Sequence, residues 1–306
     1  MTQLLNVKNL TIAKENLIAV DNISFYINKG EITGLAGESG CGKTMTALAI
    51  MNLLPQDFKI TNGNILYNKE DNNLSDIKSM SEKELNQIRG KEIGIIFQDV
   101  KQSLNPLMKI GSQINENKNT TREQVIEILN ILGLPESIYN AYAHQLSVGM
   151  CQRVMLAIAA INRPKLLLAD EPSSALDEES QKITLSYLLE MNQKYKTSVF
   201  IISHDLSIIK KYCSRYIIMY AGKIVEEGPA DLLYSPLHPY TSALIEAIPE
   251  QGKNIKSIPG KVPSIEDNLP GCPFAPRCYK AVPKCTKGFP EPVNINSRCV
   301  YCNNPL

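Results

Sequence analysis

The eight residues Gly37-Glu38-Ser39-Gly40-Cys41-Gly42-Lys43-Thr44 have the types and spacing of a loop that cradles phosphate. Its glycines let backbone N–H groups turn inward with no Cβ in the way. Lys43 supplies a cation able to reach the β- and γ-phosphates of a nucleotide, and Thr44 a hydroxyl able to sit on Mg²⁺. Asp170 and Glu171 follow four apolar residues. An acid that ends a buried strand can hold Mg²⁺ opposite Thr44, and the next acid can orient and deprotonate an attacking water. Gln98 can accept from a nucleotide-bound water or join the Mg²⁺ coordination. His204, one of only 3 histidines, sits in Ser203-His204-Asp205 and can donate to a γ-phosphate and sense its loss.

The surrounding elements must bring these groups to strand ends. Residues 32–36 form an apolar run that feeds the phosphate loop, and residues 45–54 follow with a helical pattern. That helix points its positive dipole end at the loop. Residues 93–97, 166–169 and 199–202 read as buried strands, followed in turn by Gln98, Asp170 and His204. Helical patterns fill 121–132, 148–162, 178–194 and 206–212. Strands alternating with helices predict a largely parallel sheet with its site at the strands' C-terminal ends. Further strands are read at 5–12, 23–27 and 65–67, a polar loop at 69–79, and a capping box at Ser81-x-x-Glu84. A hairpin is read across Ala221-Gly222.

Composition narrows the classes of function. The chain has 306 residues, 43% hydrophobic and 21% charged, with a net charge of +1. No strong field argues for nucleic acid or an anionic membrane surface. No apolar run approaches the ~18 residues of a membrane span, and the first residues lack the basic and apolar regions of a signal peptide. The expectation is a cytosolic chain, whose 8 cysteines are then not structural disulfides. Residues 251–306 hold half of the 18 prolines, eight Lys/Arg against three Asp/Glu, and Cys272, Cys278, Cys285, Cys299 and Cys302. That shift in composition predicts a boundary near Gln251.

With these motifs in place, the sequence resembles an ABC-type ATPase subunit. The matching elements are Gly37–Thr44 (Walker A), Gln98 (Q-loop), Leu146-Ser147-Val148-Gly149-Met150 (signature), Asp170 with Glu171 (Walker B), Ser174-Ala175-Leu176-Asp177 (D-loop) and His204 (switch histidine). They occur in family order over about residues 5–250. The resemblance implies an α/β P-loop NTPase (RecA-like) core with an antiparallel β-subdomain, and a helical insertion at about 99–163. It assigns residues 1–250 to the ATPase domain and 251–306 to a small Cys/Pro-rich C-terminal lobe. It implies ATP and Mg²⁺ as ligands, with Mg²⁺ on Thr44, Gln98 and Asp170. Catalysis then falls to Glu171, His204 and Gln98. Two cassettes sandwich two ATPs in this family, so Ser147, Val148 and Gly149 serve the partner's nucleotide. Val148 stands where the family has glycine, and a branched residue there adds bulk near a phosphate. The expectation is an asymmetric pair of hydrolytic sites. The aromatic that stacks on adenine after the first strand is also missing, with Ala13-Lys14 in its region.

The tail narrows the resemblance to importer ATPases for oligopeptides, dipeptides and nickel. Ser235-Pro236-Leu237-His238-Pro239-Tyr240-Thr241, the Ile258–Pro263 stretch, Gly271–Cys278 and Ser103-Leu104-Asn105-Pro106 carry it. His238 is then structural. The spacing Cys272-x₅-Cys278-x₆-Cys285-x₁₃-Cys299 resembles that branch's iron–sulfur tail, and four thiolates can hold [4Fe–4S] or Zn²⁺, with Cys302 either a substitute ligand or spare. The implied partners are a second ATPase subunit, a paralogue, with two transmembrane permease subunits and an extracellular substrate-binding protein. Nucleic acid is not among them. The implied location is peripheral, on the cytoplasmic face of the membrane. Peptides are the first cargo expected and nickel or a metal chelate the second. A weakly hydrolysing regulatory subunit and a non-transport ATPase are the other classes.

Overall fold

Runs of apolar residues become strands, and the length of each run tracks how completely the strand is covered. The computed structural model describes residues 2–69, 74–99, 103–116, 120–174, 176–248, 257–264, 266–267 and 269–306. In chain order its strands are β1 (Gln3–Lys14), β2 (Leu17–Asn28), β3 (Ile32–Ala36), β4 (Lys59–Asn68), β5 (Leu74–Asp76), β6 (Ile93–Ile96), β7 (Leu166–Asp170), β8 (Ser198–Ser203), β9 (Arg215–Tyr220), β10 (Lys223–Pro229), β11 (Val293–Ile295) and β12 (Arg298–Val300). The chain divides into two units. One is built chiefly from Asn28–Ile32 and Met80–Ile202, the other from Gln3–Ile27, Thr33–Ser79 and Ser203–Leu306.

In the first unit β6, β7 and β8 run parallel, with Ile93 opposite Leu166 and Leu166 opposite Ser198. Parallel strands are covered on both faces, which is why they read as unbroken apolar runs. Leu166, Leu167, Leu168 and Ala169 have no exposed surface. The helices Arg122–Ile131, Val148–Ala160 and Glu178–Tyr195 start at Thr121, Ser147 and Asp177. Each of these caps accepts an N–H of the first turn, at Gln124, Met150 and Ser180, and so satisfies one donor that the helix leaves orphaned.

The second unit holds an antiparallel sheet in the order β2-β1-β4-β5. It also holds β11, β12, β10, β9 and β3, ranked in that order. β3 and β9 are parallel, while the pairs β9–β10, β10–β12 and β12–β11 are antiparallel. The hairpin across Ala221-Gly222 forms as the sequence predicts, with Tyr220 paired to Lys223.

Several expectations need correction. The polar stretch 69–79 is not all loop: β5 pairs with β4, and Ile77–Ser79 makes a 3₁₀ turn. The Asp76 carboxylate holds this edge by accepting from Asn64 Nδ2 (2.7 Å) and from the Ile65 and Lys78 N–H groups (3.1 and 3.2 Å). A polar edge strand has no apolar alternation to betray it. β1, β2 and β4 extend beyond their apolar cores, because pairing continues after the apolar residues end. In the tail, β12 adds to β10, with Glu227 opposite Cys299. The boundary expected at 250/251 lies outside the described residues.

Candidate functional site

The loop Gly37–Thr44 leads from β3 into the helix Lys43–Ile50. Gly42 is the helix N-cap and has φ +101°, a left-handed backbone that glycine tolerates. A Cβ at Gly42 would stand 2.6 Å from the Ala19 carbonyl oxygen, and one at Gly37 2.1 Å from that of Met219. Lys43 is buried, and its Nζ donates to the carbonyls of Gly37 (2.8 Å) and Glu38 (3.0 Å). The loop is therefore already wrapped around the ammonium. Thr44 is exposed at the first helical turn, where a hydroxyl can serve Mg²⁺. Cys41 is buried, and burial raises its thiol pKa despite the nearby Lys43 ammonium. A cavity of about 290 Å³ opens beside the loop, lined by Gly42, Lys43 and Thr44 and by Ile18, Phe58 and Leu269. That is near the lower end of small-ligand pockets.

The same unit holds His204, exposed immediately after β8. Asp205 follows as N-cap of the helix Leu206–Tyr212, accepting from the Ser207 N–H (2.8 Å).

The other unit holds Gln98, the signature residues, Asp170 and Glu171. Gln98 is exposed two residues beyond β6. Ser147 and Val148 are exposed, and Ser147 Oγ accepts the Met150 N–H (3.2 Å). Asp170 ends β7 at 3% exposure, opposite Ile202 on β8. Glu171 follows with φ +50° and 8% exposure. Its N–H donates to the Ile202 carbonyl (2.9 Å), and its own carbonyl accepts from the Ser174 N–H and Oγ (3.1 and 3.0 Å). Gln152, buried in the helix Val148–Ala160, donates Nε2 to the Pro172 carbonyl (2.5 Å) and approaches that of Glu171 (3.4 Å). It braces the turn that carries both acids, a role no local spacing announces. Ala175, within Ser174–Asp177, lies outside the described residues.

Lys14, which stands in the region of the missing aromatic, is bound to Asp57 (2.6 Å). Phe58 lines the cavity instead. The tail supplies another residue the sequence did not single out. Arg277 donates to both carboxylate oxygens of Glu38 (2.9 and 3.2 Å) and to Tyr220 Oη (3.0 Å).

His238 is the N-cap of the helix Pro239–Glu246, its Nδ1 accepting the Tyr240 N–H (3.0 Å). Burial pushes its pKa down to about 3. The buried Glu226 carboxylate accepts the His238 N–H (2.9 Å), the Leu237 N–H (3.0 Å) and Tyr216 Oη–H (2.8 Å).

Three of the four cysteines expected to hold a metal, Cys272, Cys278 and Cys285, share one crevice of the tail. Cys272, Cys278, Cys285 and Cys302 line a crevice of about 10 Å³, and Cys299 is not among its lining residues but lies on β12. Such a space is at the limit for one water molecule. Among the described residues, no group of three or more His, Cys, Asp or Glu side chains is disposed to hold a metal ion. Burial pushes the Cys272 thiol up to about 11 and also raises Cys278 and Cys302. Among the described residues, no helix is long and apolar enough to cross a membrane.

Comparison with known proteins places these features in context. Residues 20–174 match the ABC transporter family, and residues 225–285 match the oligopeptide/dipeptide transporter C-terminal region. The chain is 41% identical to the oligopeptide transport ATP-binding protein AppD of Bacillus subtilis (strain 168), over 99% of this chain and 97% of that one. It is 41% identical to the dipeptide transport ATP-binding protein DppD of Escherichia coli (strain K12), over 94% and 91% respectively. Among solved structures it resembles the dimeric bacterial ABC transporter cassette MJ0796, with TM-score 0.66 and 28% identity. That match covers 74% of this chain and 98% of the cassette. The same cassette in a post-hydrolysis state bound to ADP and Pi gives TM-score 0.65 at 27% identity, again over 74% and 98%.

Proposed function

The chain belongs to the ABC transporter ATPase family, and we propose that it binds and hydrolyses ATP to drive an importer of peptides. The observation that carries this reading is the Gly37–Thr44 loop, wrapped around Lys43 beside an open cavity. Two clearances in that loop admit only glycine. The peptide cargo is supported by the oligopeptide and dipeptide transport names of the relatives.

In this reading the loop's backbone N–H groups and Lys43 hold the phosphates. Thr44, Gln98 and Asp170 would hold Mg²⁺, which would supply neutralisation of the phosphates' charge. Glu171 orients and deprotonates the attacking water, and His204 donates to the γ-phosphate. Ser147, Val148 and Gly149 act on the nucleotide of a second ATPase subunit, a paralogue. The pair works at the cytoplasmic face of the membrane with two permease subunits and an extracellular substrate-binding protein. Residues 1–250 form the ATPase domain, with a helical subdomain at 99–163, and 251–306 its C-terminal extension.

ATP turnover by the assembled transporter tests this. Glu171→Gln is expected to lower the rate at least about a hundredfold, the scale of a lost general base, while ATP still binds. Val148→Gly is expected to raise the rate by relieving the degraded signature. Undiminished turnover in Glu171→Gln sinks the assignment of the base.

A further inference from the structure

The nucleotide's phosphates are fixed by the loop, so its base must lie where the cavity runs on from Gly42, Lys43 and Thr44. A nucleobase offers two flat π-faces and needs apolar or aromatic surfaces against them. Lys14 does not supply one, because its ammonium is held by Asp57 at 2.6 Å and it does not line the cavity. Its large apolar lining side chains are Ile18, Met45, half-buried Phe58, the one aromatic among them, and 36%-exposed Leu269. Phe58 closes a turn in which its N–H donates to the Pro55 carbonyl (2.9 Å), which fixes where the ring starts. Leu269 comes from the C-terminal extension, together with Pro263 and Pro273.

The extension is fastened to the phosphate loop itself. The Arg277 guanidinium is 4% exposed and bidentate on Glu38, the second residue of the loop. It also donates to the carbonyls of Pro259 (2.8 Å) and Ile258 (3.3 Å) on the chain leading to Leu269. Tyr240 Oη accepts the Glu38 N–H at 2.9 Å. The rings of Tyr240, Tyr220 and Phe274 pack together, with centroids 4.4 to 5.3 Å apart. A wall anchored this way is pre-organised for a ligand rather than left to order upon binding.

We propose that the nucleobase of ATP is held between Phe58 and the C-terminal segment at Leu269, so that the extension forms one wall of the nucleotide site. This rests on the ATPase reading above and deepens it. Phe58 and Leu269 are distant in sequence, and they face a cavity that Ile18, after the first strand, also lines.

Calorimetric titration of the full chain with ATP, and separately with inorganic tripolyphosphate, tests the subsite. Tripolyphosphate carries the phosphates without the base. Phe58→Ala is expected to raise the Kd for ATP about tenfold, the scale of one lost base–aromatic stack. Its Kd for tripolyphosphate should stay within about twofold of wild type, well below that scale. Leu269→Ala should behave the same way with a smaller effect, and Phe58→Tyr should keep wild-type affinity. Equal weakening of both ligands, or unchanged ATP affinity in Phe58→Ala, overturns the subsite alone. Failure of the wild-type chain to bind ATP overturns the ATPase reading and the subsite with it.

Discussion

The phosphate loop and the cysteine crevice belong to the same unit, and both present residue types known for binding ligands. They are built in opposite ways. Beside the loop the chain leaves about 290 Å³ of space, and two of the loop's glycines sit where no side chain fits. The cysteine crevice leaves about 10 Å³, with Cys272 and Cys285 buried and Cys278 and Cys302 half-buried. A ligand site needs residues of the right type, and it also needs the fold to withhold packing around them. By that measure the first region is open to a ligand as the chain stands, and the second is closed around its side chains.

Arg277 ties the C-terminal extension to the loop, so its removal tests the contrast hardest. Arg277→Gln leaves Glu38 without its cation in a largely desolvated setting, and should cost about 3 kcal/mol in urea unfolding. A double-mutant cycle with Glu38→Gln should recover part of that loss. Strict additivity in the cycle would mean that the ion pair couples nothing.

His238 lines the crevice, and its test is one of pH. Folded His238 is neutral, with its pKa pushed by burial from 6.5 to about 3. The unfolded chain takes up that proton near the ordinary value. The stability it contributes is therefore whole above about pH 6.5 and is lost as the pH falls toward about 3. From about pH 7.5 to about pH 5 the loss should be about 2 kcal/mol. His238→Asn keeps a helix N-cap and removes this proton uptake. Identical pH dependence in wild type and variant contradicts the assignment. The neighbouring Glu226 carboxylate, which accepts the His238 N–H, is common to both chains.

The smallest effect is expected at Cys302, half-buried at the crevice mouth. Cys302→Ser should change stability by less than about 0.5 kcal/mol, as is usual for substitutions away from tight packing. Iron and zinc content should not differ from wild type. A loss of bound metal, or of several kcal/mol, would erase the contrast by making the crevice a ligand site.

The contiguous motifs were legible because their geometry is local. Eight adjacent residues define the phosphate loop, and buried strands announced Asp170 and His204 at their ends. The capping box marked the helix start at Ser81 for the same reason. What the chain hid depends on contacts far apart in sequence. Arg277 meets Glu38 across 239 positions, and nothing around either residue signals the pair. Gln152 reaches Pro172 through a helix-to-turn contact that no spacing rule describes. Spacing alone could not choose between Cys299 and Cys302; β12 carries Cys299 in a strand paired with β10, while Cys302 lines the crevice. β5 escaped because its polar residues are held by the Asp76 carboxylate rather than by an apolar face.

Glu171 adopts φ +50°, a backbone region that glutamate enters at a cost and that asparagine or glycine enters readily. A variant chosen only for tolerance of heat would drift away from glutamate at this position. Under the proposed role of Glu171 as general base, durability and turnover pull in opposite directions at this place. Engineering that hardens this ATPase should therefore leave the turn after β7 untouched and seek its gains elsewhere.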